Sequence, residues 1–329
     1  MKLHARFSLA AIIFVLGAVA PSAAQNLKIP FASLSPTYSP LWIAAEAGYF
    51  KKHGLEVQPV YISSGSLIVP ALLSGQIEIA NMSSAPPLTA WARGAELICV
   101  GVTSNRLLHV VVTRAPLKKP EELKGLKLGS DRYGSLSDLV LRDVLRHFNL
   151  TPDRDVAILQ AGGLPERLGA LKAGAVDGAI LTGDTALQAE KLGFHLAVEV
   201  SRLPILYPGS TIIVTRSYIQ NKRDVLKRFL RSWIEGIKAA RTDKELTVTV
   251  LQKYLKTADR GNLDRLFEIY KDVHEKIPAP DAKVMGGALK QLAATIPQAG
   301  QLKVEDFIDR SLIGELESEG FIAKLYSGR

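Results

Sequence analysis

The sequence predicts an α/β fold: two similar α/β lobes with mainly parallel sheets, joined by a two-stranded hinge, and a helical C-terminal region. Three observations carry this expectation. The stretch 55–82, LEVQPVYISSGSLIVPALLSGQIEIANM, reads as strand, glycine turn, helix, strand, which is a βαβ unit with parallel strands. The pattern recurs 99 residues later without a gap: Lys28-Ile29 falls on Lys127-Leu128, Glu56-Val57 on Asp155-Val156, Ser63-Ser64 on Gly162-Gly163, Ala71-Leu72 on Ala170-Leu171, Gly75 on Gly174 and Ala80 on Ala179. One register held through three strands and two helices points to two lobes of one plan. Finally, two β-branched runs, 109–113 (HVVVT) and 211–215 (TIIVT), bracket the second copy. The chain is therefore expected to leave lobe one, build lobe two and return, with the two runs as the hinge. The division is 1–24 as signal peptide, 25–112 with 208–329 as lobe one, and 113–207 as lobe two.

In order, residues 27–32 are the first strand, followed by a loop in which Ser39 can cap a helix and Pro40 sits at its first position. That helix is expected over 41–52, with Ile43, Ala44, Ala47 and Phe50 buried, and His53-Gly54 ends it. A strand over 56–62, a helix from Leu67 to the C-cap Gly75 and a strand over 77–80 follow. A helix to Arg93 and a strand over 96–102 complete this half. In the second half the strands are 126–130, 156–160 and 176–181. The helices run from the turn Gly134-Ser135-Leu136-Ser137 to Asn149, over 164–173, and from Thr182-Gly183-Asp184 to Gly193. Beyond Ser217 the chain reads as helical, and Phe229, Leu230, Trp233, Ile234 and Ile237 form one amphipathic face. Trp233 on that face is core.

The first residues have the pattern of a cleaved export signal: Lys2 and Arg6, an apolar run over 9–19, and Pro21-Ser22-Ala23-Ala24 as a small-residue cleavage site. The apolar run is too short to span a bilayer, which takes about 20 residues. No cysteine follows the cleavage site to carry lipid, so the expected location is the periplasm, without a lipid anchor. The lone Cys99 lies in an apolar run without a disulfide partner. Net charge is +9, spread over helices without the basic and aromatic clusters of a nucleic-acid groove. No paired His or Cys has metal-ligand spacing, and no cofactor fingerprint is present, so neither metal nor cofactor is expected. G-x-S-x-G, the P-loop and H-E-x-x-H are absent, and the chain is read as a non-enzyme.

What recurs is a short Ser, Gly or Thr turn at the carboxyl end of nearly every expected strand, where parallel α/β sheets bind ligands. Such turns can be plain helix caps, and they can equally present hydroxyl and N–H donors to a small polar or anionic molecule. The candidate ligand-binding residues are Ser35, Tyr38, Trp42, Ser63, Ser64, Gly65, Asn81, Ser83 and Ser84 from the first lobe. The second contributes Arg132, Tyr133, Gly134, Ser135, Gly162, Gly163, Thr182 and Asp184. Arg132 is the cation placed to grip an acid bidentately, and Tyr38, Trp42 and Tyr133 could stack on an organic body. Trp42 has a core alternative, Arg132 a solvated one, and Asp184 could simply cap its helix.

Pro40-Leu41-Trp42-Ile43-Ala44-Ala45-Glu46-Ala47-Gly48-Tyr49-Phe50 and His53-Gly54-Leu55-Glu56-Val57 resemble the "PLWLAKEKGFFEKEGLDV" opening of a known family. Its members are solute-binding proteins of ABC importers for nitrate, sulfonates, taurine and thiamine pyrimidine precursors. Ala71-Leu72-Leu73-Ser74-Gly75-Gln76-Ile77-Glu78 is similar to its "ALLSGEID", Pro120-Glu121-Glu122-Leu123-Lys124-Gly125 to its entry into lobe two, and Asp306-Phe307-Ile308 with Ser311-Leu312 to its C-terminal pattern. The resemblance implies a type II periplasmic binding protein, monomeric, that closes on a small organic solute and delivers it to an ABC permease with its ATPase. At Thr182-Gly183-Asp184 the chain departs from the W-x-P turn common in sulfonate and nitrate binders. Two other readings share the fold: a periplasmic protein presenting ligand to a separate sensor, and an enzyme like the thiamine-pyrimidine synthase. Protein recovered from the periplasm should have the intact mass of a chain beginning near Gln25; Met1 retained in a cytosolic pool would contradict the signal.

Overall fold

A computed structural model describes residues 25–327, and the expected signal peptide lies outside them. The first half consists of β1 (Gln25–Phe31), α1 (Ser39–Glu46), α2 (Tyr49–Lys52), β2 (Leu55–Tyr61), α3 (Gly65–Leu73), β3 (Ile79–Met82), α4 (Ala85–Trp91) and β4 (Leu97–Ser104). The single helix expected over 41–52 is two, because Gly48 takes φ 73° and breaks the hydrogen-bond ladder. The second half runs β5 (His109–Thr113), β6 (Lys127–Ser130), α5 (Leu136–His147), β7 (Ala157–Gln160), α6 (Leu164–Ala173), β8 (Gly178–Thr182), α7 (Gly183–Lys191) and β9 (His195–Glu199). β9 was not expected from sequence; in HLAVE only Val198 is fully buried, so the strand carries little apolar alternation. Then come β10 (Ser210–Thr215), α8 (Arg216–Asn221), α9 (Arg223–Thr242), α10 (Lys244–Leu255), α11 (Arg260–Tyr270), α12 (Ala282–Leu292), α13 (Ser311–Ser318) and α14 (Phe321–Ser327).

The strands form two five-stranded sheets, ordered β2-β1-β3-β10-β4 and β7-β6-β8-β5-β9. The repeat seen in the sequence is a repeat of strand register. Lys28 of β1 faces Gln58 of β2, and Lys127 of β6 faces Ala157 of β7. Phe31 faces Asn81 while Leu128 faces Gly178, the same separation again. The helix-ending glycines Gly75 and Gly174 both have φ 74°, the left-handed conformation of a C-cap.

Both sheets are mixed. β10 runs antiparallel between β3 and β4, and β5 runs antiparallel between β8 and β9. This corrects the expected hinge: HVVVT and TIIVT do not pair with each other, and each is an interior strand of a different sheet. Their β-branched side chains reflect burial on both faces. β5 already belongs to the second sheet, so that sheet begins at His109, not after residue 112. The links between the sheets are 105–108 and 200–209. They lie side by side where Gly209 N–H donates to Ser104 O at 2.8 Å.

The C-terminal helices pack on the first sheet. α9 buries Phe229, Leu230, Trp233, Ile234 and Ile237, and Trp233 lies so close over Gly101 that a Cβ there would meet its ring at 2.7 Å. Gly236 of α9 admits α1 similarly: a Cβ would meet the Pro40 carbonyl oxygen at 2.2 Å. The free edge of β4 is sealed by the segment before α13, with Cys99 N–H donating to Phe307 O at 2.8 Å and Asp309 N–H to Cys99 O at 2.9 Å. Burial pushes the Cys99 thiol up to about 12, so it stays protonated and unreactive. No helix among the described residues is long and apolar enough to cross a membrane.

Gly236→Ala should destabilise the protein by at least the about 1–3 kcal/mol typical of overpacking, since backbone blocks the new methyl. Gly314→Ala, in α13 with nothing within 4 Å of the new Cβ, should instead stabilise by about 0.5–1 kcal/mol through helix propensity. Urea unfolding of the two variants checks the opposite signs.

Candidate ligand cleft

The carboxyl ends of the parallel strands in both sheets point at one another across a narrow cleft, the position where open α/β sheets bind ligands. The cleft encloses a cavity of about 60 Å³, room for roughly four to six water-sized groups at about 10–15 Å³ each. Its first-lobe wall includes Ser35, Tyr38, Ser63, Gly65 and Ser83; its second-lobe wall includes Asp131, Ser135, Ser137, Gly163, Arg167 and Thr182. Arg106, Leu107, Leu108 and Gly209 contribute from the links, His109 from the start of β5 and Tyr270 from the end of α11.

Helix starts supply much of the polar wall. Ser64, Ser135, Gly163 and Thr182 are the N-cap residues of α3, α5, α6 and α7. Unpaired N–H groups and the positive dipole ends of these helices converge on the cavity from both lobes. Ser135 Oγ accepts from Asp138 N–H at 3.3 Å, so this serine caps its helix as well as facing the cleft. The lobes touch closely: a Cβ on Gly163 would meet Tyr61 Oη at 2.7 Å and Ser63 Cβ at 3.6 Å.

Two opposite charges stand in this wall. Arg167 is 5% exposed, and its guanidinium donates from Nη1 to Ile180 O at 2.6 Å and from Nε to Gly163 O at 3.4 Å. Burial lowers its pKa, opposed by Asp131, Tyr61 and Glu166. Asp131 is 6% exposed. Burial raises its pKa, while the Arg167 charge and the nearby Ser64 hydroxyl of the opposite lobe pull it down. Its Oδ1 is buried without a donor. Burial, with Arg167 adding to it, pushes His109 down to about 3, so the imidazole is neutral at ordinary pH, and its Nδ1 is also without a partner.

Of the residues expected from sequence, Ser35, Tyr38, Ser63, Gly65, Ser83, Ser135, Gly163 and Thr182 line the cavity. The others do not, each for a local reason. Trp42 is fully buried and stacks on Tyr254 at 4.6 Å, beneath the first sheet's surface. Asn81 is tied into the sheet, donating to Ser210 Oγ at 2.9 Å and Thr211 O at 3.0 Å. Ser64 backs the wall through Ser66 Oγ at 2.9 Å, and Ser84 is buried behind it, its N–H on Pro208 O. Arg132 and Tyr133 are exposed because the turn closed by Ser135 N–H on Arg132 O directs Asp131 inward and the next two residues outward. Gly134 and Gly162, with φ 74° and 79°, shape their turns without reaching the cavity. Asp184 lies in a neighbouring groove and accepts from Thr182 Oγ1 at 2.8 Å and Thr185 Oγ1 at 3.3 Å.

Sequence reasoning missed Arg167, Asp131, His109 and Tyr270. Arg167 had a readable signal: α6 buries Leu164, Arg167 and Leu171, a helical apolar stripe interrupted by one charge. A charge on a buried stripe needs a reason.

The geometry defines a class: a two-lobed α/β protein with its polar site between the lobes. Comparison with known proteins agrees. Residues 35–245 match the NMT1/THI5-like family, and the chain belongs to it. It is 24% identical over 289 residues to the putative binding protein YtlA of Bacillus subtilis (strain 168), covering 83% of this chain and 85% of that one. A putative ABC transporter periplasmic binding protein of Brachyspira hyodysenteriae (strain ATCC 49526 / WA1) is 25% identical over 230 residues, 65% of each chain. The solved alkanesulfonate-binding protein SsuA from Xanthomonas axonopodis pv. citri, bound to MOPS, superposes with TM-score 0.72 at 18% identity, over 88% of this chain and 99% of that one. The last likeness establishes the fold.

Asp184 gives the fold a pH signature. Burial raises its pKa from 3.8 to about 6, so the folded state holds this proton more tightly than the unfolded state. The resulting stabilisation is complete below about pH 4 and is lost as pH rises through about 6. Buried His274, pushed down to about 3, acts oppositely in much of that window, so the difference between proteins is the readout. The stability of the wild type relative to Asp184→Asn should fall between pH 4 and 6 and then level off, as measured by urea unfolding at stepped pH.

Proposed function

We propose that the protein is an extracytoplasmic solute-binding protein that captures a small organic anion between its lobes and delivers it to an ABC permease with its ATPase. The observation that carries this is the convergence of helix N-termini from both lobes, together with buried Arg167, on one enclosed cavity. Each exposed helix terminus favours negative charge by about 0.3–1 kcal/mol, and more when partly buried. The names of the Brachyspira relative and of the SsuA neighbour support transport and an anionic ligand, and the export signal supports a periplasmic location. The binding residues are Ser35, Tyr38, Ser63, Gly65, Ser83, Ser135, Gly163, Thr182 and Arg167. The moving bodies are the two sheets with their helices, hinged at 105–108 and 200–209. Contacts from both lobes exist only in the closed form, and that differential affinity drives closure.

The ligand is returned unchanged. Among the described residues the hydrogen bond between a serine and a histidine is Ser39 Oγ to His274 Nε2 at 3.4 Å, and both lie outside the cavity wall. His109 is the imidazole of the cavity wall, and among the described residues no cavity hydroxyl is hydrogen-bonded to it, so no serine–histidine pair stands poised there.

Thermal-shift titration with small carboxylates and sulfonates tests the reading. A binding anion should raise the melting temperature with dose, by about 2.7 kcal/mol of added stability at a hundredfold excess over Kd. Mass analysis of released ligand should find it intact. Arg167→Gln should weaken binding by ten- to a hundredfold, the scale of a charge-assisted hydrogen bond, whereas Arg132→Ala should leave it unchanged. Equal affinity in Arg167→Gln would remove the site assignment.

A further inference from the structure

A second recess lies on the first lobe, between the edge strand β2 and the end of α10. It is an open groove of about 600 Å³, against about 60 Å³ for the cleft cavity, and it falls within the about 300–1,000 Å³ of small-molecule sites. No residue lines both. Along the first turn the lining alternates: Phe31 and Leu34 belong to the groove, and Ala32, Ser33 and Ser35 to the cleft. The groove is therefore separate from the cleft and not an extension of it.

Its floor is aromatic. Phe31 meets Tyr254 edge-on at 6.2 Å and lies 5.6 Å from Tyr61. Tyr254 has one face stacked on buried Trp42 at 4.6 Å, and as a half-buried residue of the lining it leaves the rest of its ring to the groove. Glu46 fixes that ring, accepting from Tyr254 Oη at 3.2 Å and from Lys253 Nζ at 2.7 Å. The Glu46 carboxylate and the Lys253 ammonium thereby neutralise each other. Lys256 remains. It is exposed, stands in the left-handed conformation (φ 52°) at the end of α10, and has no carboxylate within the 4.0 Å of a salt bridge among the described residues. A flat apolar platform beside one uncompensated cation is complementary to an aromatic ring that carries negative charge, whereas a cationic ring would meet Lys256 as a like charge.

We propose that this groove is a second binding site, for a small planar aromatic acid. The ring lies against Tyr254, Tyr61 and the edge of Phe31, and the acid pairs with Lys256. This goes beyond capture in the cleft and does not depend on it.

Calorimetry of the intact mature protein with naphthalene-2-carboxylate, a rigid bicyclic acid, tests the site. Saturable binding is expected, and Lys256→Glu should weaken it by about three- to tenfold, the scale of one exposed charge pair lost and reversed. Lys256→Arg should retain it, and naphthalene-2-methylammonium should bind the wild type more weakly than the acid by a similar factor. Tyr254→Leu should weaken the acid by about tenfold through loss of the platform; the exposed Lys256 variants decide the matter even if this one folds poorly. Arg167→Gln should leave naphthalene-2-carboxylate binding unchanged. Absence of saturable binding, or equal affinity in Lys256→Glu, would overturn the second site. Loss of binding in Arg167→Gln would place the aromatic acid in the cleft, which overturns the second site and leaves the binding-protein reading standing.

Discussion

The architecture depends on the place where the chain crosses twice between its sheets. Gly209 N–H on Ser104 O, followed by the pairing of Ser210 with Ser104, ties the outgoing link to the returning one. With both links fixed at the end of β4, each sheet is anchored on the same line. The carboxyl ends of the parallel strands must then face each other. Much of the polar wall follows from that: α3, α5, α6 and α7 begin just after β2, β6, β7 and β8 end, so each of these strands brings a helix N-terminus to the line. The interior position of β5 and β10 makes the links short, because each sheet receives its antiparallel strand directly from the crossover.

Inside the cleft, burial and charge pull in opposite directions. Arg167 and Asp131 are both almost completely covered, although each would be better solvated in an open molecule. Backbone carbonyls steady the guanidinium, whereas Asp131 Oδ1 is left without a donor.

Much of the fold was legible because periodic burial writes itself into sequence. The register repeat is visible in Lys28 and Lys127, and in Gly75 and Gly174, since parallel strands with equal helices between them impose equal spacing. The site was half legible. Ser63, Ser135, Gly163 and Thr182 stand where any βα turn would be, and the turn chemistry marks them. Arg132 lies outside the cavity and Asp131 within its wall because adjacent residues in a tight turn point in opposite directions, and sequence does not say which points inward. Arg167 and Tyr270 reach the cavity from a helix face and from the end of α11, and proximity across the lobes leaves no local trace. β9 was missed because an edge strand needs little apolar alternation.

The position of β10 also governs the order in which the molecule can assemble. All five strands of the second sheet lie within residues 109–199, a contiguous stretch whose contacts form without the rest of the chain. The first sheet cannot close until β10 slides between β3 and β4, and the outer edge of β4 stays bare until Glu275 and Pro278 reach Thr103 and Val102, and then Phe307 and Asp309 reach Cys99. A chain emerging N-terminus first therefore completes its second sheet before its first. In the interval the early strands β3 and β4 present unpaired edges, the kind of surface that recruits chaperones or other copies of the same chain.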